Sequence, residues 1–276
     1  MTKAIVCTVP KSGTYLLGAI LTHLGMRDTK QHVSLRGFTD YSNVDLETAR
    51  RNPNDLWVTE PLEATLGQIG PGEFAVGHLP STAAPLLRDF KVIFAYRNIR
   101  DVLVSFCRWT ADSGRWTEGD NGAWRQLPDG PDRLLGFLEV HGARLRRVID
   151  ASADWIGMRG VTQVSFEVLM GDYGREAAAT AMRRIARAAD QHGLGDTDLL
   201  NLLEKAKATQ TITRSNGRSV RSTFWNDVVE AEFARRGFAI INSRLGFDEP
   251  SASGWWAHWW TVRKALKAVR FRQRAA

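Results

Sequence analysis

Ala4-Ile5-Val6-Cys7-Thr8-Val9-Pro10-Lys11-Ser12-Gly13-Thr14 is the stretch whose reading decides the fold. Ala4 to Val9 is a short apolar run, the pattern of a strand buried on both faces, and a helical pattern begins near Thr14. Leu16, Leu17, Ile20, Leu21 and Leu24 recur on one side of that helix, so core packing anchors its start. Strand, tight turn and helix start together aim several amide N–H groups at one point, with the positive end of the helix dipole behind them. Lys11 adds a mobile cation at the rim. The stretch predicts a backbone cradle for an oxyanion, against a plainer reading as a strand-to-helix turn with a solvated lysine. Its order is not the Walker A order G-x-x-x-x-G-K-[ST], because Lys11 precedes Ser12-Gly13 and position 6 is Val. A loop for a different phosphate ester fits better than one for a nucleoside triphosphate.

A second constellation reinforces the first. Phe74 to Pro80 reads as strand then loop, F-A-V-G-H-L-P, and Lys91 to Arg97 as another buried strand, K-V-I-F-A-Y-R. Arg97-Asn98 then opens a helix through Asp101, Val102, Leu103 and Phe106, which puts Ser105 about two turns along. Ligands of an open parallel sheet sit beyond the carboxyl ends of its strands, and Lys11, His78 and Arg97 all fall at such ends. The bland role for Arg97 is an i,i+4 pair with Asp101, worth about 0.2–0.5 kcal/mol. Ser105, eight residues on, favours a phosphate role.

On these residues the chain resembles the sulfotransferases that use 3'-phosphoadenosine 5'-phosphosulfate (PAPS) and release adenosine 3',5'-bisphosphate (PAP). V-P-K-S-G-T-Y-L resembles their 5'-phosphosulfate loop, A-Y-R-N-I-R-D-V-L-V-S their 3'-phosphate segment, and V-G-H-L-P their K-T-H-L-P element with its histidine base; the match spans most of residues 4 to 248. Thr213 to Trp225 is a weaker echo of the family's R-K-G loop over the 3'-phosphate, on Arg214, Gly217 and Arg218. The resemblance implies sulfuryl transfer to a hydroxyl acceptor, with His78 as base and Lys11, Ser12, Gly13, Thr14 and Tyr15 around the 5' end of the donor. Arg97 and Ser105 would hold the 3'-phosphate, Ser105 would restrain Lys11 until acceptor arrives, and no metal is called for. Two positions depart from the pattern: the family's adenine-stacking tryptophan falls at Leu16, and the lysine two residues before the base falls at Val76. Tyr15 and Phe166 are the candidates to rebuild the adenine contact.

The expected fold is α/β: one three-layer sandwich domain over residues 1–250, with a central, mostly parallel sheet, followed by a Trp-rich basic helix or tail over 251–276. A chain of 276 residues, 43% of them apolar, supports one sizeable core. Helical patterns cover Pro131 to Ile149, Arg175 to Asp190 and Asp196 to Ala206, with a strand at Val161 to Phe166. Polar, turn-rich segments at Arg27 to Asn54 and Ala111 to Gly130, the second with Trp109, Trp116 and Trp124 around it, interrupt the alternation and are candidates for the acceptor pocket. His23, His32, His141, His192 and His258 lack metal-ligand spacing and are read as non-catalytic. Cys7 and Cys107 both sit in apolar settings, the pattern of reduced buried thiols in a cytoplasmic protein.

Six of the seven net positive charges lie in Gly254 to Ala276, behind Trp255, Trp256, Trp259 and Trp260 at helical spacing. That pattern resembles an interfacial anchor and expects peripheral association with anionic membrane through 255–274; the plain alternative is a terminal helix docked by its tryptophans. With basic residues confined to one end and no recognised nucleic-acid motif, a nucleic-acid partner is not expected. The competing enzyme class is a P-loop small-molecule or nucleoside kinase, which should show the Walker order and a magnesium carboxylate at a strand end.

Overall fold

A computed structural model describes residues 2–51, 55–114, 120–209 and 221–247. In chain order its elements are β1 (Lys3–Thr8), α1 (Thr14–His23), β2 (Arg27–Ser34), β3 (Gly37–Asp40), α2 (Leu46–Arg51), β4 (Trp57–Thr59), α3 (Leu62–Gly67), β5 (Glu73–Gly77), β6 (Phe90–Tyr96), α4 (Ile99–Ser113) and α5 (Pro131–Ala153). There follow β7 (Thr162–Ser165), α6 (Phe166–Met170), α7 (Gly174–Ala188), α8 (Asp196–Ala208), α9 (Arg221–Phe224), α10 (Asp227–Arg235) and α11 (Phe238–Arg244). The strands form one sheet in the order β4-β3-β2-β5-β1-β6-β7. β2, β5, β1, β6 and β7 run parallel, and β3 and β4 add an antiparallel edge.

The apolar runs of β1, β5 and β6 are buried because both faces of the sheet are covered, the condition that parallel strands need. Alternation sorts their side chains. Ile5, Cys7, Ala75, Val92 and Phe94 face a core completed by residues of α3, α4, α5, α10 and α11. Ala4, Val6, Phe74, Val76, Ile93 and Ala95 face the opposite core, closed by α1, α7 and α8. The expected mixed three-layer α/β sandwich is the observed one. The boundary at 250 and the Trp-rich segment beyond it lie outside the described residues.

Residues Arg27 to Asn54 depart from expectation: they contain the β2–β3 hairpin as well as a short helix. β2, R-D-T-K-Q-H-V-S, has one fully buried side chain, Val33, so apolar alternation gave no strand signal. Pairing with β5 supplies what its own sequence lacks. Val33 stands opposite Gly77, where a Cβ would come within 2.3 Å of the Val33 carbonyl oxygen. Only glycine lets the two strands close immediately before His78. Gly77→Ala should therefore lower the unfolding free energy by about 1–3 kcal/mol, read as a lower urea midpoint at unchanged m-value; an unchanged midpoint would show that β2 yields without cost.

Candidate active site

The cradle forms where β1 ends. Val9 N–H donates to Ala95 O at 2.9 Å and Ser12 N–H to Val9 O at 3.2 Å, which folds the chain back over the end of the strand. Lys11 has φ 66° and Gly13 φ 89°, so two residues of this loop adopt left-handed backbone, a strain that for Lys11 carries a steric cost. At Gly13 a Cβ would lie 2.7 Å from the Phe166 ring, so glycine is required by conformation and by contact. Gly13 also caps α1 with no side-chain hydrogen bond and no acid in the first turn, and the first amides of the helix have no carbonyl one turn back. The Ser12 hydroxyl is buried with no hydrogen-bond partner, and Ser12 is 1% exposed. A buried hydroxyl left in this way in the loop is a donor available to a ligand.

His78 follows β5 and is half-buried beside the loop. Its Nδ1 lies 3.1 Å from the Thr8 carbonyl oxygen and 2.9 Å from Thr8 Oγ1. A carbonyl oxygen only accepts, so Nδ1 carries the ring hydrogen and the lone pair of the neutral ring is on Nε2. Thr8 Oγ1 and Thr14 Oγ1 lie 2.7 Å apart and share a buried hydrogen bond in which either hydroxyl can donate. Burial pushes the His78 pKa down to about 4, the Thr8 bond opposes this, and the positive charge of Lys11 adds to it. The imidazole is neutral at pH 7.

Arg97 sits between β6 and α4, and the bend that aims it is fixed from outside. Asn98 N–H donates to Glu167 Oε1 at 2.8 Å, Ile99 N–H to the buried Asn242 Oδ1 at 2.7 Å, and the Asn98 side chain caps α4 through Arg100 N–H at 3.0 Å. The guanidinium lies 4.6 Å from the Phe166 ring centroid, and its Nη1 approaches Lys11 O at 3.5 Å. Burial lowers the Arg97 pKa, against the opposing pull of Asp101, Glu167 and Asp172. Burial raises that of Glu167, whose Oε2 is buried without a hydrogen-bond partner. Asp101 takes Arg221 as an ion-pair partner at 3.6 Å. Phe166 thus touches both the loop and Arg97.

The structure therefore gathers Lys11, Ser12, Gly13, Thr14, Arg97 and Phe166 at one end of the sheet, with His78 joined to the loop through Thr8. Ser105 is half-buried on α4, one turn before Trp109. The Lys11 ammonium lies 5.0 Å from the Trp109 ring centroid, so Trp109 reaches the site. Trp124 is not a pocket residue: it is 4% exposed, packed on Phe137 and His141, with its Nε1 donating to the buried Asp120 at 2.8 Å. Trp116, Arg214, Gly217 and Arg218 lie outside the described residues. The Tyr15 hydroxyl is 3.1 Å from His32 Nδ1. Residue patterns gave no sign of Thr8, His32, Glu167 or Asn242 as parts of the site, since each acts through a contact distant in sequence. A separate concavity of about 460 Å³ between β7 and α7, lined by Tyr96, Ser165, Tyr173, Glu176 and Arg184 among others, includes none of Lys11, His78 and Arg97. Among the described residues, no helix is long and apolar enough to cross a membrane.

Residues 1–129 match the family model of the sulfotransferase domain. Retinol dehydratase, solved in complex with androsterone and inactive cofactor PAP, shares the fold with a TM-score of 0.54 at 14% identity, over 91% of this chain and 82% of its own. A second structure of retinol dehydratase, with retinol and PAP, gives 0.52 at 15% over 90% and 82%. The mouse sulfotransferase SULT7A1 complexed with PAP gives 0.53 at 12% over 85% and 82%. At these identities the structural likeness is one of fold. A comparison with curated protein sequences gives no match. The sulfotransferase likeness read from the motifs is thus shown by the domain match over residues 1–129, and the fold alone is shared over most of the chain.

The buried imidazole has a consequence for stability. Its folded pKa of about 4 lies below the ordinary histidine value of 6.5, so the unfolded chain binds more protons between them and the native state loses stability as pH falls from 6.5 toward 4. His78→Asn should flatten this acid-side loss in a series of urea unfolding curves. An identical pH slope in the variant would show that His78 is already charged or already solvated in the folded protein.

Proposed function

We propose that the site transfers the sulfuryl group of PAPS to the hydroxyl of an acceptor. The observation that carries this reading is the hydrogen-bonded chain His78–Thr8–Thr14, which couples a neutral imidazole to the loop and the start of α1. The residues fit the donor: the unpartnered Ser12 hydroxyl, the glycine cradle, Lys11 and Arg97 together offer donors and two cations to a molecule carrying phosphates at both ends. When bound, the donor supplies a sulfuryl group and leaves as a bisphosphate. Lys11, Ser12 and the first amides of α1 would hold the 5' end and offset the charge that gathers on the leaving oxygen. Arg97 and Ser105 would grip the 3'-phosphate, with Arg214, Gly217 and Arg218 joining them, and Phe166 would supply an apolar face to adenine. His78 would take the acceptor proton on Nε2, its Nδ1 hydrogen held by Thr8. Transfer rests on positioning and electrostatics, as in phosphoryl transfer.

Two departures acquire a meaning. Val76, where relatives of this pattern place a lysine, is 5% exposed and packs in the core with Leu17 and Phe74, so that cation is replaced by packing. The restraint of Lys11 assigned to Ser105 by resemblance is shared with Trp109, over whose ring the ammonium rests. Cys7 and Cys107 are buried and unpaired, and burial raises both thiol pKa values, that of Cys107 to about 12, which supports a cytoplasmic setting. The pattern of 255–274 supports peripheral membrane association, and sedimentation with anionic vesicles decides between that and docking.

Calorimetric titration with PAP, with adenosine 5'-monophosphate and ATP as controls, tests the donor site without knowledge of the acceptor. PAP should bind in preference to both. Arg97→Ala should weaken PAP by about 1.5–3 kcal/mol, roughly tenfold or more, and Ser12→Ala should weaken it while leaving the unfolding midpoint of the ligand-free protein unchanged or higher. His78→Ala should keep PAP affinity and lower turnover roughly 10²–10⁴-fold. No binding, or a preference for ATP, would sink the sulfotransferase reading and move the kinase reading ahead.

A further inference from the structure

Two histidines meet beside the cradle. The His32 ring lies 4.8 Å from that of His78, centroid to centroid, at an interplanar angle of 65°. The Tyr15 hydroxyl, on the first turn of α1, lies 3.1 Å from Nδ1 of His32. Backbone geometry builds this contact. β2 and β5 run parallel with His32 opposite Val76 and Val33 opposite Gly77, and the missing side chain at Gly77 lets Val33 O close in. His32 is flanked by Thr39 of β3, Val76 of β5, Tyr15 and His78; of these Tyr15 and His78 titrate, and the charge of Lys11 acts on His78.

An imidazole held at Nδ1 alone keeps freedom to swing about that bond, and a ring flip would turn a carbon edge to the acceptor in place of Nε2. Among the described residues Thr8 supplies that hold. An edge-to-face ring contact at a second point removes the swing, because such pairs favour a narrow range of angles. We propose that His32, fixed by Tyr15, is a positioning residue that locks the His78 ring with Nε2 turned toward the acceptor. The inference rests on the reading of His78 as the base and adds a residue that acts through it. The same hydroxyl that holds His32 belongs to the residue after Thr14, so the cradle and both imidazoles move as one unit.

Two-bond ¹H–¹⁵N spectra of the full chain labelled at histidine nitrogens report the tautomer and ionisation of His78 with no donor, acceptor or turnover. Loss of a signal in His78→Asn and in His32→Asn assigns the two rings. The unaltered protein should show one His78 tautomer, with hydrogen on Nδ1. His32→Ala should give mixed tautomers and an upward shift of the His78 midpoint, and His32→Phe, which keeps a ring in place, should restore the single tautomer. PAP affinity should stay within about twofold in both variants, which serves as the check on folding. If His32→Ala does not fold, the already labelled His32→Asn carries the same expectation as the alanine variant.

An unchanged His78 spectrum in the variant that lacks the ring overturns the proposal, whether or not the protein binds PAP. Absence of PAP binding in the unaltered chain overturns the donor reading instead, so the two failures are distinct. With a hydroxyl compound that the enzyme turns over, His32→Ala should lower kcat roughly tenfold at unchanged KM for PAPS, and have no further effect in a His78→Ala background. Equal losses in both backgrounds would show that His32 does not work through His78.

Discussion

Thr8 closes β1 with both its oxygens engaged: the carbonyl and the hydroxyl both lie within hydrogen-bond reach of Nδ1 of His78, and the hydroxyl is also bonded to that of Thr14. One residue therefore links the imidazole to the first hydroxyl of α1. That is possible only because β1 lies between β5 and β6, with the residue after β5 on one side and Ala95 receiving Val9 N–H on the other. A shift of β1 by one residue would send its alternate side chains to the wrong cores and break the chain of hydrogen bonds in the same step. Packing of the sheet and polarity of the site are thus a single constraint.

The second half of the site is held by two polar side chains distant in sequence from the loop, Asn242 and Glu167. Asn242 is fully buried and receives Ile99 N–H, while Glu167 receives Asn98 N–H. These bonds occupy amides at the start of α4, where a helix always leaves them unpartnered. They also tie α4 to α11 and α6, so the direction of Arg97 depends on elements more than sixty residues away in sequence. A buried amide that loses such an acceptor costs about 1–3 kcal/mol, enough to favour a different bend. The placement of Arg97 is therefore as rigid as the core around it.

What was legible in the sequence follows from this arrangement. Loop, base and arginine each sit at the end of an apolar run, and such runs are visible because parallel strands are buried on both faces. The helices after them were visible by their periodicity. β2 was not: with Val33 alone buried, it looks like a polar turn segment and becomes a strand through β5. The contact of His32 with His78 was hidden for the same reason, since a histidine on an invisible strand has no visible neighbour. Trp124 was misjudged in the opposite direction. Asp120 and Arg125 look like loop polarity, yet the Asp120 carboxylate is fully buried, 2.6 Å from Arg125, and closes the tryptophan into the core. Sequence reading finds polar residues that end strands and misses those that work by long-range pairing.

The charge balance of the site completes the argument. Lys11 and Arg97 stand at the cradle, and a third cation among them would be repelled. Burial and Lys11 both lower the pKa of His78, so the third basic group is kept neutral. The Lys11 ammonium rests over the Trp109 face and the Arg97 guanidinium over Phe166, with Asp101, Glu167 and Asp172 also acting on Arg97 through their charge. Aromatic faces hold cations without neutralising them, unlike a carboxylate. Neutral base and aromatic-parked cations are thus two results of one requirement, that the site stay electropositive without repelling itself apart.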